Sequence, residues 1–208
     1  MRTKSKEDET ENTMNKSIML SIHPNWCERI IRGYKTIEVR KTKPKLETPF
    51  KCYIYCTKDK LTLLRDDEDK EEQYKFDVWK HAGFHESFGR KVLNGKVIGE
   101  FVCDGIIQMS DLGDFFAAIT DYDITSSCLN YDELHEYGKG KDLYGWHISD
   151  LKIYDEPKEI YRFYKPCNFN YDCFLCDYWV KEEKVCMIPP ITKPPQSWCY
   201  VRKVGDRE

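Results

Sequence analysis

Between Gly33 and Lys41 the chain reads GYKTIEVRK and carries two ammonium groups, a hydroxyl, a carboxylate and a guanidinium. Arg40 offers a planar fork of donors and Lys35 a mobile point charge, a combination suited to a phosphate or to the edge of a base. Glu38, two residues before Arg40, can orient the guanidinium or accept from a base amino group. For hydrolysis, Lys35 or Glu38 would be the group to act as general base toward a water. The simpler reading is an ion pair between Glu38 and Arg40 that serves the fold, since charge pairs at a surface are common and contribute little. Both readings can hold at once.

A second constellation lies near the C-terminus, where Cys167, Cys173, Cys176 and Cys186 form a C-x5-C-x2-C-x9-C array. A C-x2-C pair puts two thiolates on one tight knuckle, and two further cysteines complete a tetrahedral zinc site. Such a structural Zn would add folding free energy to a segment too short to build a core, and four thiolates leave no open position for catalysis. The alternative is four buried or free thiols, and Cys199 could replace one ligand. The chain has ten cysteines and no secretion signal, so disulfides are not expected. Cys27, Cys52, Cys56, Cys103 and Cys128 are read as small packed hydrophobes.

These residues need elements to position them. Strict alternation in KTIEVRK sends Thr36, Glu38 and Arg40 to one face of a strand and Ile37 and Val39 to the other. Before it, PNWCERIIRG reads as a short helix. Pro24 suits its first turn, Trp26, Ile30 and Ile31 form one stripe, and Gly33 marks a left-handed stop. KSIMLSIHP, FKCYIYCTK (a strand from Phe50 to Thr57), GKVIGEFVCDGIIQM and YGWHISDLKIYD read as strands, with Gly99 and Gly105 as bend or bulge sites. Residues 58–91 are charged and are read as a partly helical, peripheral insertion, and YDELHEYG as a short helix. The fold class is therefore α+β, mainly β. The reading divides the chain into a disordered tail (1–13), a β domain (14–160), a Cys-rich extension with a returning strand (161–204) and a tail (205–208).

Composition narrows the function classes. At 208 residues one domain with a modest appendage fits better than two. No run of about 18 apolar residues is present, so no membrane partner is expected, and the charged N-terminus lacks the apolar core of a signal peptide, which points to the cytoplasm. A net charge of -3 gives no global field for polyanions, so nucleic-acid binding would rest on a local site.

With these residues in view, the sequence resembles the ASCH family of the PUA-like superfamily. Its G-x-K-x-x-E-x-R signature is met by Gly33, Lys35, Glu38 and Arg40, and LSIHPNW, GKVIGEFVCDGI and YGWHISDLKIYDEPKEI agree with it on either side. The resemblance covers about residues 16 to 160. It implies a PUA-like β-barrel with short flanking helices and a cleft at this junction that receives RNA, a modified nucleobase or another nucleoside- or nucleotide-like ligand. The ligand-facing set would be Tyr34, Lys35, Thr36, Glu38, Arg40, His23 and Trp146. Bases stack on aromatic rings for roughly 1–3 kcal/mol each. Tyr34, beside a glycine turn, is the better exposed ring, whereas Trp26 suits the core.

The resemblance also implies an enzymatic alternative, an amidohydrolase acting on N4-acetylcytidine or a related amide, with Lys35 in place of the family's lysine. The family's threonine, three residues after that lysine, is replaced here by Glu38, and the matching glutamate has no firm counterpart, with Asp132 and Glu133 as candidates. A carboxylate in place of a hydroxyl nucleophile changes the available mechanism. Ribonuclease activity with His23 or His147 as proton carrier is a further option, and a protein-interaction module without nucleotide specificity is the remaining class.

Overall fold

KSIMLSI forms strand β1 (Lys16–Ile22), whose side chains from Ser17 onward are buried. Ile18, Leu20 and Ile22 enter one apolar cluster and Met19 another on the opposite face, which is why the run is not a plain apolar/polar alternation. This computed structural model describes residues 16–66, 75–80, 89–111, 116–117, 120–166, 179–180, 185–186 and 188–202. Helix α1 (Pro24–Ile31) starts at Pro24 and stops where Gly33 takes φ 74°, a conformation open to glycine at no steric cost.

Strands β2 (Ile37–Arg40), β3 (Phe50–Cys56), β4 (Thr62–Asp66), β5 (Lys75–Trp79), β6 (Arg90–Val92), β7 (Val97–Cys103), β8 (Ile106–Asp111) and β9 (Phe116–Ala117) follow. Helices α2 (Asp121–Ser127) and α3 (Tyr131–Gly138) come next, each opened by a capping box. The chain continues through β10 (Leu143–His147), β11 (Ser149–Lys158), β12 (Trp179–Val180), β13 (Val185–Cys186) and β14 (Trp198–Arg202). A five-stranded sheet runs β11-β7-β3-β1-β14, a four-stranded sheet β2-β10-β8-β9, and a three-stranded sheet β5-β4-β6. β1 and β3 are parallel, with Ile22 opposite Cys56 at their ends.

The architecture is mixed α+β and mainly β, but among the described residues the sheets are open and do not close into the expected barrel. The run expected as one long strand breaks at Asp104–Gly105, so that β7 lies in one sheet and β8 in the other. β10 and β11 change sheets in the same way at Ile148, and the two corners are tied by the His147 N–H donating to the Gly105 carbonyl (2.9 Å). Gly99 is needed for close approach: a Cβ there would lie 2.5 Å from the Lys152 carbonyl oxygen of β11.

The described part of 58–91 also differs from the sequence reading. It forms strands rather than helix, and it is not peripheral: Leu63 and Phe76 join the cluster of β1, β3 and α1. Alternating charge masked the apolar residues of β5, where Phe76 is buried between exposed Lys75 and Asp77. Arg65 is buried at the back of this sheet and donates to the carbonyls of Tyr154 (3.0 Å) and Asp155 (2.7 Å), which fastens β4 to β11.

Among the described residues no helix is long and apolar enough to cross a membrane. The tails expected at 1–13 and 205–208 lie outside the described residues, as do Cys167, Cys173 and Cys176; of Cys186 only the backbone, in β13, is described. Cys27, Cys52, Cys56 and Cys103 are buried free thiols. Burial pushes the thiols of Cys27 and Cys52 well up, and that of Cys103 up to about 12.

Candidate functional site

The turn after α1 carries Lys35 beneath the end of α2, where its Nζ donates to the Ser127 carbonyl (2.5 Å). A cation is favourable there because the last carbonyls of a helix lack intrahelical partners. Nζ also lies 3.4 Å from Glu38 Oε2, while Glu38 Oε1 accepts from Arg40 Nη2 at 2.8 Å. Arg40 Nη2 donates further to the Ser21 carbonyl (2.8 Å), and Nη1 reaches the carbonyl (3.3 Å) and hydroxyl (3.2 Å) of Ser197. Arg40, on the four-stranded sheet, therefore fastens β1 and the segment before β14 of the five-stranded sheet.

These charges are not at the surface: Lys35 is 3% exposed, and Glu38 and Arg40 are each 6% exposed. β2 is covered on both sides. Ile37 and Val39 pack with Ile124, Leu134 and Leu143, while Glu38 stands opposite Trp146 of β10 and so shares its inward face. A face of two cations and one carboxylate is costly to bury unless its remaining donors and acceptors are satisfied. Among the described residues Glu38 Oε2 and Arg40 Nε have no hydrogen-bond partner.

Above these groups a cleft of about 340 Å³ opens to solvent. Ile22, Trp26, Val39 and Leu129 give it apolar walls, and His23, Thr57, Tyr137, Gln196 and Ser197 add polar groups. The Trp26 ring has the Lys35 ammonium 5.1 Å and the Arg29 guanidinium 5.2 Å from its centroid. Burial raises the Tyr137 phenol above its ordinary value, with Arg40 opposing and Glu38 reinforcing the shift, so its hydroxyl remains a donor at neutral pH. Thr57 Oγ1 is buried and also lacks a partner among the described residues.

Of the ligand-facing set read from the sequence, the cleft brings together His23, Lys35, Glu38 and Arg40. Tyr34 and Thr36 are not among its lining residues: Tyr34 is 66% exposed, and Thr36 uses its backbone to bridge Ser126 and Ile148. Trp146 requires correction, because it is fully buried between Phe50 (5.7 Å between ring centroids) and Trp198 (5.8 Å) and serves the core. Trp26 packs against the core, as the helix stripe implied, and also lines the cleft together with Thr57 and Tyr137. Thr57 follows β3 directly, and its place in the cleft depends on the parallel pairing of β3 with the strand that ends at Ile22, which the sequence does not show; Tyr137 on α3 had no signal either.

Both histidines read as proton carriers are carboxylate-bonded. His23 Nδ1 lies 2.7 Å from Asp59 Oδ2 at the cleft mouth, and this hydrogen bond holds the Asp59 carboxyl below its ordinary value. His147 Nδ1 lies 2.6 Å from Asp104 Oδ1, and neither residue lines the cleft.

No protein-family model matches the chain, and no curated protein matches it. Among solved structures it is similar to the ASCH protein of Zymomonas mobilis at 17% identity and a TM-score of 0.45, over 90% of this chain and 88% of that one. It is similar to two mutant proteins of the same ASCH protein: one at 16% identity and TM-score 0.44, covering 90% and 91% of the two chains, the other at 15% and 0.48, covering 91% and 90%. The functional reading rests on the chemistry of the cleft.

Proposed function

We propose that the cleft binds a nucleobase, presented by RNA or by a free nucleoside. The observation that carries this is the charged group lining the cleft, in which Glu38 Oε2, 3.4 Å from Lys35 Nζ, and Arg40 Nε are buried without a hydrogen-bond partner among the described residues. Buried polar atoms are nearly always hydrogen-bonded, so an acceptor and a donor without hydrogen bonds on neighbouring charged residues leave capacity for a ligand. A planar heterocycle offering an N–H beside a ring nitrogen or carbonyl satisfies both, and the apolar walls cover its faces. The volume suits one base with its sugar rather than a run of bases. The ASCH-like signature at Gly33, Lys35, Glu38 and Arg40 supports the same reading.

Titration of the protein with the four ribonucleosides and a short single-stranded oligoribonucleotide, followed by tryptophan fluorescence, tests it. Saturable binding is expected, weakened roughly tenfold or more in Glu38→Gln, as for loss of a charge-assisted hydrogen bond. No response to any of these ligands would end the reading.

Hydrolysis of an N4-acylated cytidine or related amide is the second reading, favoured by Thr57. Its unpartnered hydroxyl in the cleft is a group that the Lys-to-Glu spacing of the signature had seemed to lack. Turnover of N4-acetylcytidine that disappears in both Lys35→Ala and Thr57→Val would establish it. The four-cysteine array is proposed as a structural zinc site on the chemistry of its donors.

A further inference from the structure

We propose that Cys27 and Cys56 form a two-thiolate site for a soft monovalent cation, copper(I), in the core behind the cleft. The proposal stands apart from the base-binding reading. Strand pairing brings the two residues together. Ile22 and Cys56 are partners at the ends of β1 and β3, and the Ile22 carbonyl accepts both from the Thr57 N–H (2.9 Å) and from the Cys27 thiol of α1 (3.5 Å). The Cys27 and Cys56 thiols are hydrogen-bonded to each other, and both side chains are fully buried in the apolar cluster shared by β1, β3 and α1. Two sulfurs in contact offer a donor set as well as packing volume. Access to them is short, because Ile22, Trp26 and Thr57, their neighbours in pairing or in sequence, line the cleft.

The number of donors selects the ion. Among the described residues no three His, Cys, Asp or Glu side chains are placed to hold a metal ion together, so zinc, which takes four ligands, is not served here. Soft thiolates favour copper(I), a monovalent ion that two of them satisfy in a line. Both thiols lose their protons to solvent as two S–Cu bonds form, so the complex carries one negative charge. Burial, followed by Cys56 and Glu38, keeps the Cys27 thiol protonated in the absence of an ion, and Arg40 acts against them. Charge favours the complex. Lys35, Glu38 and Arg40 bury two cations with one carboxylate, and an anion beside Arg40 brings that group to balance.

The test is anaerobic titration of the full-length chain with copper(I) against a chromophoric copper(I) chelator. The C-terminal cysteines are common to every variant, so their uptake cancels in the comparison. Wild type should hold about one equivalent more than Cys27→Ala or Cys56→Ala. Cys52→Ala, which removes a thiol from the same strand and the same cluster, should hold as much as wild type. Equal uptake by wild type and both pair variants, with copper held by other thiols only, overturns the site. Loss of the same equivalent in Cys52→Ala overturns it too, because the uptake would then belong to the core thiols at large. Where a variant fails to fold, diffraction at the copper edge from wild-type crystals grown with copper(I) decides the matter. An anomalous peak between the Cys27 and Cys56 sulfurs is the expected result, and peaks confined to other cysteines overturn the proposal.

Discussion

Lys35, Glu38 and Arg40 show how the same residues serve fold and site together. Arg40 holds Ser21 and Ser197 as well as Glu38, so its guanidinium joins two sheets while its Nε has no hydrogen-bond partner among the described residues. Removing one member of a buried charged group leaves the others uncompensated, at a cost of about 3–5 kcal/mol. Arg40→Ala and Glu38→Ala should each lose stability on that scale in urea unfolding, and a loss below about 1 kcal/mol would mean that solvent already reaches these charges. The types and spacing of the trio were legible in the sequence; their burial was not. Alternation assigns Glu38 and Arg40 to one face, but only the covering of that face by β1 and by Trp146 opposite Glu38 makes it interior. Trp146 is interior and Trp26 both packs against the core and lines the cleft for a related reason: a ring's local period does not say which of two packed elements lies above it.

At the scale of elements, three strands of the five-stranded sheet are joined by one carboxylate. Glu100 on β7 accepts from Lys51 Nζ of β3 (2.8 Å) and from the Tyr154 hydroxyl of β11 (2.6 Å). Burial pushes the Glu100 carboxyl up, but these two hydrogen bonds outweigh it and hold the group below its usual 4.5. A carboxylate whose folded pKa is depressed contributes stability that is fully present above the unfolded value and is lost as pH falls through the folded one. The melting temperature should therefore fall below about pH 4.5, and Glu100→Gln should flatten that acid limb. An unchanged acid limb in the variant would assign the loss to other carboxylates. Helix α1 and strands β1 and β3 were readable from local pattern because their start, stop and apolar runs are encoded within each segment. The sheet changes at Asp104–Gly105 and Ile148 were not readable, since each depends on which distant strand lies alongside.

For the whole molecule, mixed α+β architecture followed from composition and strand count, whereas the open sheets seen among the described residues, in place of a closed barrel, depend on pairings across the chain. The strands of residues 58–91 escaped notice because charge dominates that segment, although Leu63 and Phe76 reach the core from its described part. The cysteine array makes a claim at this scale too. Elemental analysis of purified protein should find about one zinc per chain, and a metal-free, fully stable protein would remove the site. The central claim, that the cleft receives a base, is tested most directly by ultraviolet crosslinking of a bound single-stranded oligoribonucleotide, with the adducts mapped by mass spectrometry. Adducts on Trp26 or Tyr137, reduced in Glu38→Gln, are the predicted result. Adducts confined to surfaces away from the cleft would contradict it.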